Sequence, residues 1–262
     1  MSCFCLQGGN DEKGFCKAAV ICCEALPDSG PPSGSRYSLF LYIRGIPRLN
    51  APSTERYPVR GVDVSVYQGQ IDWNTLAEQR ISFAFIKATE GSSSEDPNFQ
   101  RNWEQARQSG LRVGAYHFFS FDSGGDTQAE NFIRAVEPAE GMLPPVVDVE
   151  LYGEKKRNPP AREDVTEQLS LLLERLEEHY GQRPVLYATG SSYDRYLAGD
   201  YEGYDIWIRN VYWTPRLKDG REWTFWQYTD RARLAGYEGE EPYIDMNVFN
   251  GTLEEFASYP EK

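Results

Sequence analysis

Two carboxylates, Asp148 and Glu150, end an apolar run over residues 143–150 that enters from Pro144-Pro145. The prolines forbid a helix start and Val146, Val147 and Val149 are β-branched, so the run is predicted to be a buried strand. Side chains on a strand alternate faces, which points Asp148 and Glu150 the same way. Like charges this close cannot both ionise freely, and one carboxyl keeps its proton to unusually high pH. A protonated acid beside an ionised one can break a glycosidic bond, the first protonating the leaving oxygen and the second stabilising positive charge on the sugar. An Asp-x-Glu pair serves equally as a solvated strand terminus or a helix-capping pair, so the rest of the chain must decide.

The elements that would hold this pair alternate regularly. Strands are expected at 61–67, 81–87, 111–118, 143–150 and 184–188, and helices at 72–79, from Asp96-Pro97 to about 108, at 127–136, 163–180 and 191–197. Three further strands, 204–209, 224–228 and 243–249, follow with only loops between them. Five βα units and three nearly helix-free strands predict an α/β fold, an irregular, flattened TIM-like barrel whose chemistry lies at the C-terminal ends of its strands. That rule gathers Asp63, Lys87, Tyr116 or His117, Asp148, Glu150, Tyr187, Trp207, Gln227 and Asp245 at one mouth. Four acids with an aromatic lining describe a carbohydrate cleft, because aromatic faces stack on sugar rings while acids and amides bind hydroxyls.

The 262 residues carry a net charge of −13, which argues against nucleic acid as a partner. All five cysteines fall in the first 23 residues, without paired Cys-x-x-Cys spacing. The two histidines, His117 and His179, are far apart in sequence, so no metal centre and no cofactor are expected. Residues 1–59 are rich in Gly, Pro and Ser and are expected to be a leader and linker, with the folded domain at 60–262. No apolar run there reaches the roughly 20 residues of a membrane span, and no standard secretory signal is visible.

Six motifs, Asp63-Val-Ser-Val-Tyr-Gln-Gly69, Phe85-Ile-Lys-Ala-Thr-Glu-Gly91, Gly114-Ala-Tyr-His-Phe-Phe119, Pro145-Val-Val-Asp-Val-Glu150, Trp226-Gln-Tyr-Thr229 and Ile244-Asp-Met-Asn-Val-Phe249, occur in this order. Together they resemble glycoside hydrolase family 25, the Chalaropsis-type lysozymes or N-acetylmuramidases, from about Arg60 onward. Ser94 departs from the aromatic or large apolar residue common in that family. The resemblance implies hydrolysis of the β-1,4 bond between N-acetylmuramic acid and N-acetylglucosamine in peptidoglycan by a monomer outside the cell or in its wall. It implies Glu150 as general acid with Asp148 its partner, Asp63 and Asp245 as further active-site acids, and Lys87, Tyr116, Tyr187, Trp207 and Gln227 in substrate binding. The alternatives are a barrel that binds peptidoglycan without cutting it and a chitin-directed glycosidase. Lys87 has an equal claim as the ion-pair partner of Glu90 or Asp63, the aromatics as barrel core, and His117 as a structural imidazole.

Overall fold

A computed structural model describes residues 51–260. Nine strands form the main sheet: β1 (Arg60–Val64), β3 (Phe83–Glu90), β4 (Ser94–Glu95), β5 (Arg112–Phe118), β6 (Val146–Val149), β7 (Val185–Thr189), β8 (Ile206–Arg209), β9 (Phe225–Ala232) and β11 (Ile244–Phe249). Parallel pairing of β1 with β3 closes eight of them into a barrel, and β4 hangs on the rim of β3. A separate two-stranded sheet pairs β2 (Gln70–Ile71) with β10 (Tyr237–Glu238). Helices Phe99–Gln108, Gly125–Ala135 and Arg162–Tyr180 follow β4, β5 and β6, as the βα alternation predicts. The longest stops where Gly181 adopts a left-handed φ of 63°.

Strand alternation divides the apolar residues into two layers. Val62, Val64, Ala84, Ile86, Val147, Leu186 and Ile208 face outward into one continuous core with Phe132, Leu169 and Leu172 from the helices. Phe83, Phe85, Val146, Val185, Trp207, Phe225 and Phe249 face inward and fill the barrel. Gly61 and Gly114 leave room for these rings, since a Cβ at either position would collide with Phe83 or Phe85.

Three features differ from the sequence expectations. β11 runs antiparallel to both its neighbours, β1 and β9, so its N-terminal end lies at the mouth. Asp245, the second residue of β11, reaches the mouth for that reason and not by sitting at a strand's end. A short helix, Leu253–Ser258, was not anticipated; it caps the opposite opening, with Phe256 packed into the barrel and Arg112 donating to the carbonyls of Phe256 and Tyr259. Packing also begins before Arg60. Val59 is fully buried, and Tyr57 is buried against Trp223 and Trp226 at ring separations of 5.7 and 6.1 Å. The tail of the expected linker is therefore core, whereas residues 1–50 of that stretch, with all five cysteines, lie outside the described residues.

Candidate active site

The inward face that carries phenylalanines lower in the barrel carries charge at its top. Asp63, Lys87, Tyr116, Asp148, Glu150, Tyr187, Trp207, Gln227 and Asp245 line one cleft of ≈ 220 Å³, together with Ser65, Tyr67 and Phe118. A contiguous lobe of ≈ 200 Å³ shares Asp63, Tyr67, Tyr116 and Asp245 and extends to Asp230, Glu241 and Tyr243. All nine residues singled out in the sequence thus meet in one place. His117 does not join them. Its neighbour Tyr116 takes the inward position, while His117 is buried on the outer face between Thr89 Oγ1 (2.7 Å from Nδ1) and Gln128 Oε1 (3.0 Å from Nε2). Burial pushes its pKa down to about 4, which makes it a neutral structural imidazole near pH 7.

Asp63 and Asp245 lie directly opposite each other in the β1–β11 register. Gln227 Nε2 donates to both oxygens of Asp63 (3.1 and 2.9 Å) and to Asp245 Oδ2 (3.3 Å), and Asn247 Nδ2 donates to Asp63 Oδ2 (2.7 Å). Trp207 Nε1 in turn donates to Asn247 Oδ1 (2.8 Å), which fixes that amide's orientation. Burial raises the pKa of Asp63 despite these donors. Burial and the facing Asp63 hold Asp245 well above the usual carboxylate range, so this pair retains a proton and behaves as one bound unit.

Asp148 and Glu150 are arranged differently. Both follow the inward alternation of β6 with no amide between them. Asp148 is 7% exposed, and its Oδ1 is buried without a hydrogen-bond partner. Burial, then the charge of Glu150, holds its carboxyl well above the usual range, with Lys87 opposing. Glu150 is also raised by burial, while Arg209 and Lys156 pull it back. Tyr187 Oη donates to Gln227 Oε1 (3.0 Å) and lies 3.5 Å from Glu150 Oε1, joining the two acid pairs. Lys87 binds Glu90 at 2.7 Å and lies 5.0 Å above the Phe118 ring while lining the cleft, so one side chain has both the structural and the site position anticipated for it.

Two residues of this network were not anticipated. Arg209 ends β8, and its guanidinium pairs with Asp230 at 2.6 Å. Burial works against its charge, but Tyr187, Asp230, Glu150 and Asp245 outweigh that and keep it protonated. Asn247 holds Asp63. Both obey a period of two from residues that were singled out, Trp207 and Asp245, and that period is the signal that could have found them.

The profile of glycosyl hydrolases family 25 matches residues 62–237. A solved family 25 glycosyl hydrolase from Bacillus anthracis is 56% identical, with a TM-score of 0.76 over 80% of this chain and 97% of that one. Lysozyme M1 of Streptomyces globisporus is 32% identical over 74% of this chain and 68% of its own length, and the bacterial lysozyme of Streptomyces coelicolor superposes with a TM-score of 0.69 at 29% identity, over 76% and 95%. The chain belongs to glycosyl hydrolase family 25. It is a glycoside hydrolase built on the barrel that the lysozymes of that family share.

Proposed function

We propose that the protein is an N-acetylmuramidase that cleaves the β-1,4 bond between N-acetylmuramic acid and N-acetylglucosamine, with Glu150 as general acid and Asp148 as the group that holds the substrate. The observation that carries this is the contrast between the two acid pairs. Asp63 has its oxygens occupied by Gln227 and Asn247, whereas Asp148 keeps a buried oxygen unpartnered beside Glu150. Asp148 and Glu150 project from one wall, a poor arrangement for a protein nucleophile attacking from the face opposite the acid. The substrate supplies its own nucleophile, the acetamido oxygen on C2. Asp148 lines the cleft with the 7% of its surface that is exposed; its carboxylate accepts the acetamido N–H there and orients the acetamido oxygen toward the anomeric carbon, while Glu150 protonates the leaving oxygen. A bound N–H also favours ionised Asp148, which moves the pair's shared proton to Glu150, where the reaction needs it. Glu150 then acts as base on the incoming water, and the product retains its configuration.

Lys87, Tyr116, Tyr187, Trp207 and Gln227 shape the cleft and bind sugar hydroxyls in this reading. Asp63 and Asp245 set the field and the position of Gln227. One chain suffices, because every group comes from a single barrel, which supports a monomer. The substrate places the enzyme outside the cell or in its wall; among the described residues no helix is long and apolar enough to cross a membrane.

Digestion of purified sacculi followed by borohydride reduction tests the bond. Reduced muramic acid at the new ends is expected, and reduced glucosamine ends would overturn it. Proton NMR of the first-formed product tests the stereochemistry. An initial β anomer is expected; an initial α anomer would replace Asp148's role with activation of a water by another acid.

A further inference from the structure

We propose that Tyr212 and Trp213 form an outer carbohydrate-stacking platform that grips a sugar ring of the glycan strand beyond those flanking the cleaved bond. This rests on the glycan-cleaving reading above and extends it to a chain of several sugars. Among the described residues, three aromatic side chains are prominently exposed: Tyr67 at 56%, Tyr212 at 40% and Trp213 at 62%. All three lie on the barrel's mouth. Tyr67 follows β1 and lines both lobes of the cleft. Tyr212 and Trp213 follow β8, three and four residues after Arg209. Exposing an aromatic ring to water forgoes the stabilisation of burying it, so three such residues at one end of the barrel point to a surface that a ligand covers.

The pair is also held in place. Tyr212 and Trp213 stand with ring centroids 5.6 Å apart, and the backbone N–H of each donates to Asn210 Oδ1 (3.1 and 3.3 Å). Asn210 is pinned on both sides: its N–H donates to the carbonyl of Gln227 (3.1 Å), and its carbonyl accepts from Trp226 Nε1 (2.7 Å). Val211, between them, is buried. The platform is therefore fastened to the strand that carries Gln227 to Asp63, and binding a ring there costs little ordering. β1 and β8 are three strand steps apart in a barrel of eight, about 14 Å along the wall. Tyr67 and the Tyr212–Trp213 pair thus flank the cleft on nearly opposite sides, farther apart than one pyranose ring reaches. Flat aromatic faces suit the C–H faces of sugars, and a glycan strand long enough to cross the mouth meets both.

The test compares kcat/KM on long, peptide-free glycan strands with kcat/KM on the tetrasaccharide of two N-acetylglucosamine–N-acetylmuramic acid units. Trp213→Ala is expected to lower the value on long strands roughly three- to tenfold, with a clearly smaller loss on the tetrasaccharide. Trp213→Phe is expected to recover most of the loss. Leu253→Ala removes a side chain of equal exposure, 60%, at the opposite end of the barrel, and is expected to change neither value. Equal losses on both lengths, or none on long strands, would overturn the platform. So would a concentration-dependent dimer in sedimentation that Trp213→Ala abolishes, since the patch would then cover a second copy. Wild-type protein inactive on both substrates would overturn glycan cleavage and the platform with it.

Discussion

The two ends of the barrel interior are built from the same strands and the same alternation, yet they hold opposite chemistries. At the closed end Phe83, Phe85, Phe225, Phe249 and Phe256 pack ring to ring with centroids 5.2 to 5.6 Å apart, and Tyr259 completes the seal. At the mouth, at the other end of the barrel strands, stand four acids, Lys87 and Gln227. The closed end makes the mouth work. An apolar plug excludes water from below, so each carboxylate above it is desolvated on that side and is pushed toward its protonated form. An enzyme that must donate a proton near neutral pH needs such a floor as much as it needs the acid.

That division predicts that mouth substitutions change rate and floor substitutions change stability. Glu150→Gln is expected to give the largest effect, a loss of about 10² to 10⁴ in kcat, because the amide is isosteric but has no proton to donate. Its melting temperature should stay at or above wild type, as a buried carboxyl is replaced by a neutral group; near-normal turnover would remove Glu150 from the role of acid. Phe225→Ala should do the reverse. It is fully buried against four other rings, and its loss is expected to cost about 3–5 kcal/mol in chemical denaturation, with kcat little changed where the protein stays folded. A collapse of kcat in folded Phe225→Ala would show that the two ends are not separable.

The smallest effect sharpens the comparison through pH. Asp148 has a folded pKa well above its usual 3.8, so it costs no stability while both folded and unfolded chains hold its proton. As pH rises above about 4, the unfolded chain releases that proton first and the folded protein loses relative stability. Asp148→Asn removes this penalty. The variant is expected to match wild type near pH 3.5 and to become progressively more stable than it toward neutral pH, read from denaturation midpoints across that range. A stability gap that shrinks as pH rises would contradict the sign.

Much of this architecture was legible in the residues, for identifiable physical reasons. The period-two alternation of β6 put Asp148 and Glu150 on one face, and alternating strand and helix patterns foretold a barrel, because both signals are local. The 3.6-residue period and Gly181 bounded the long helix to within a residue of its observed start at Arg162. Elements with weak local signals were missed. The helix Leu253–Ser258 opens on a capping box, Thr252 with Glu255, but its six residues have too few turns to show a period, and its value lies in plugging an opening that no sequence displays. Tyr57 reads as linker beside Pro58 and becomes core only because Trp223 and Trp226, over 160 residues away, form its pocket.

The sequence by itself determined which residues share a face of each strand, since backbone geometry alternates side chains, but not which face turns inward, as Tyr116 and His117 show. It determined the acids, the aromatics and their order along the chain. Only the tertiary structure decided which strands are neighbours and which way they run. Reversing β11 brings Asp245 opposite Asp63 and makes four scattered carboxylates into two unlike pairs, one bound by amides and one without them. The proton inventory of the site follows from those distances and from the burial around them, because the energy of a charge depends on what surrounds it in space and not on its place in the chain.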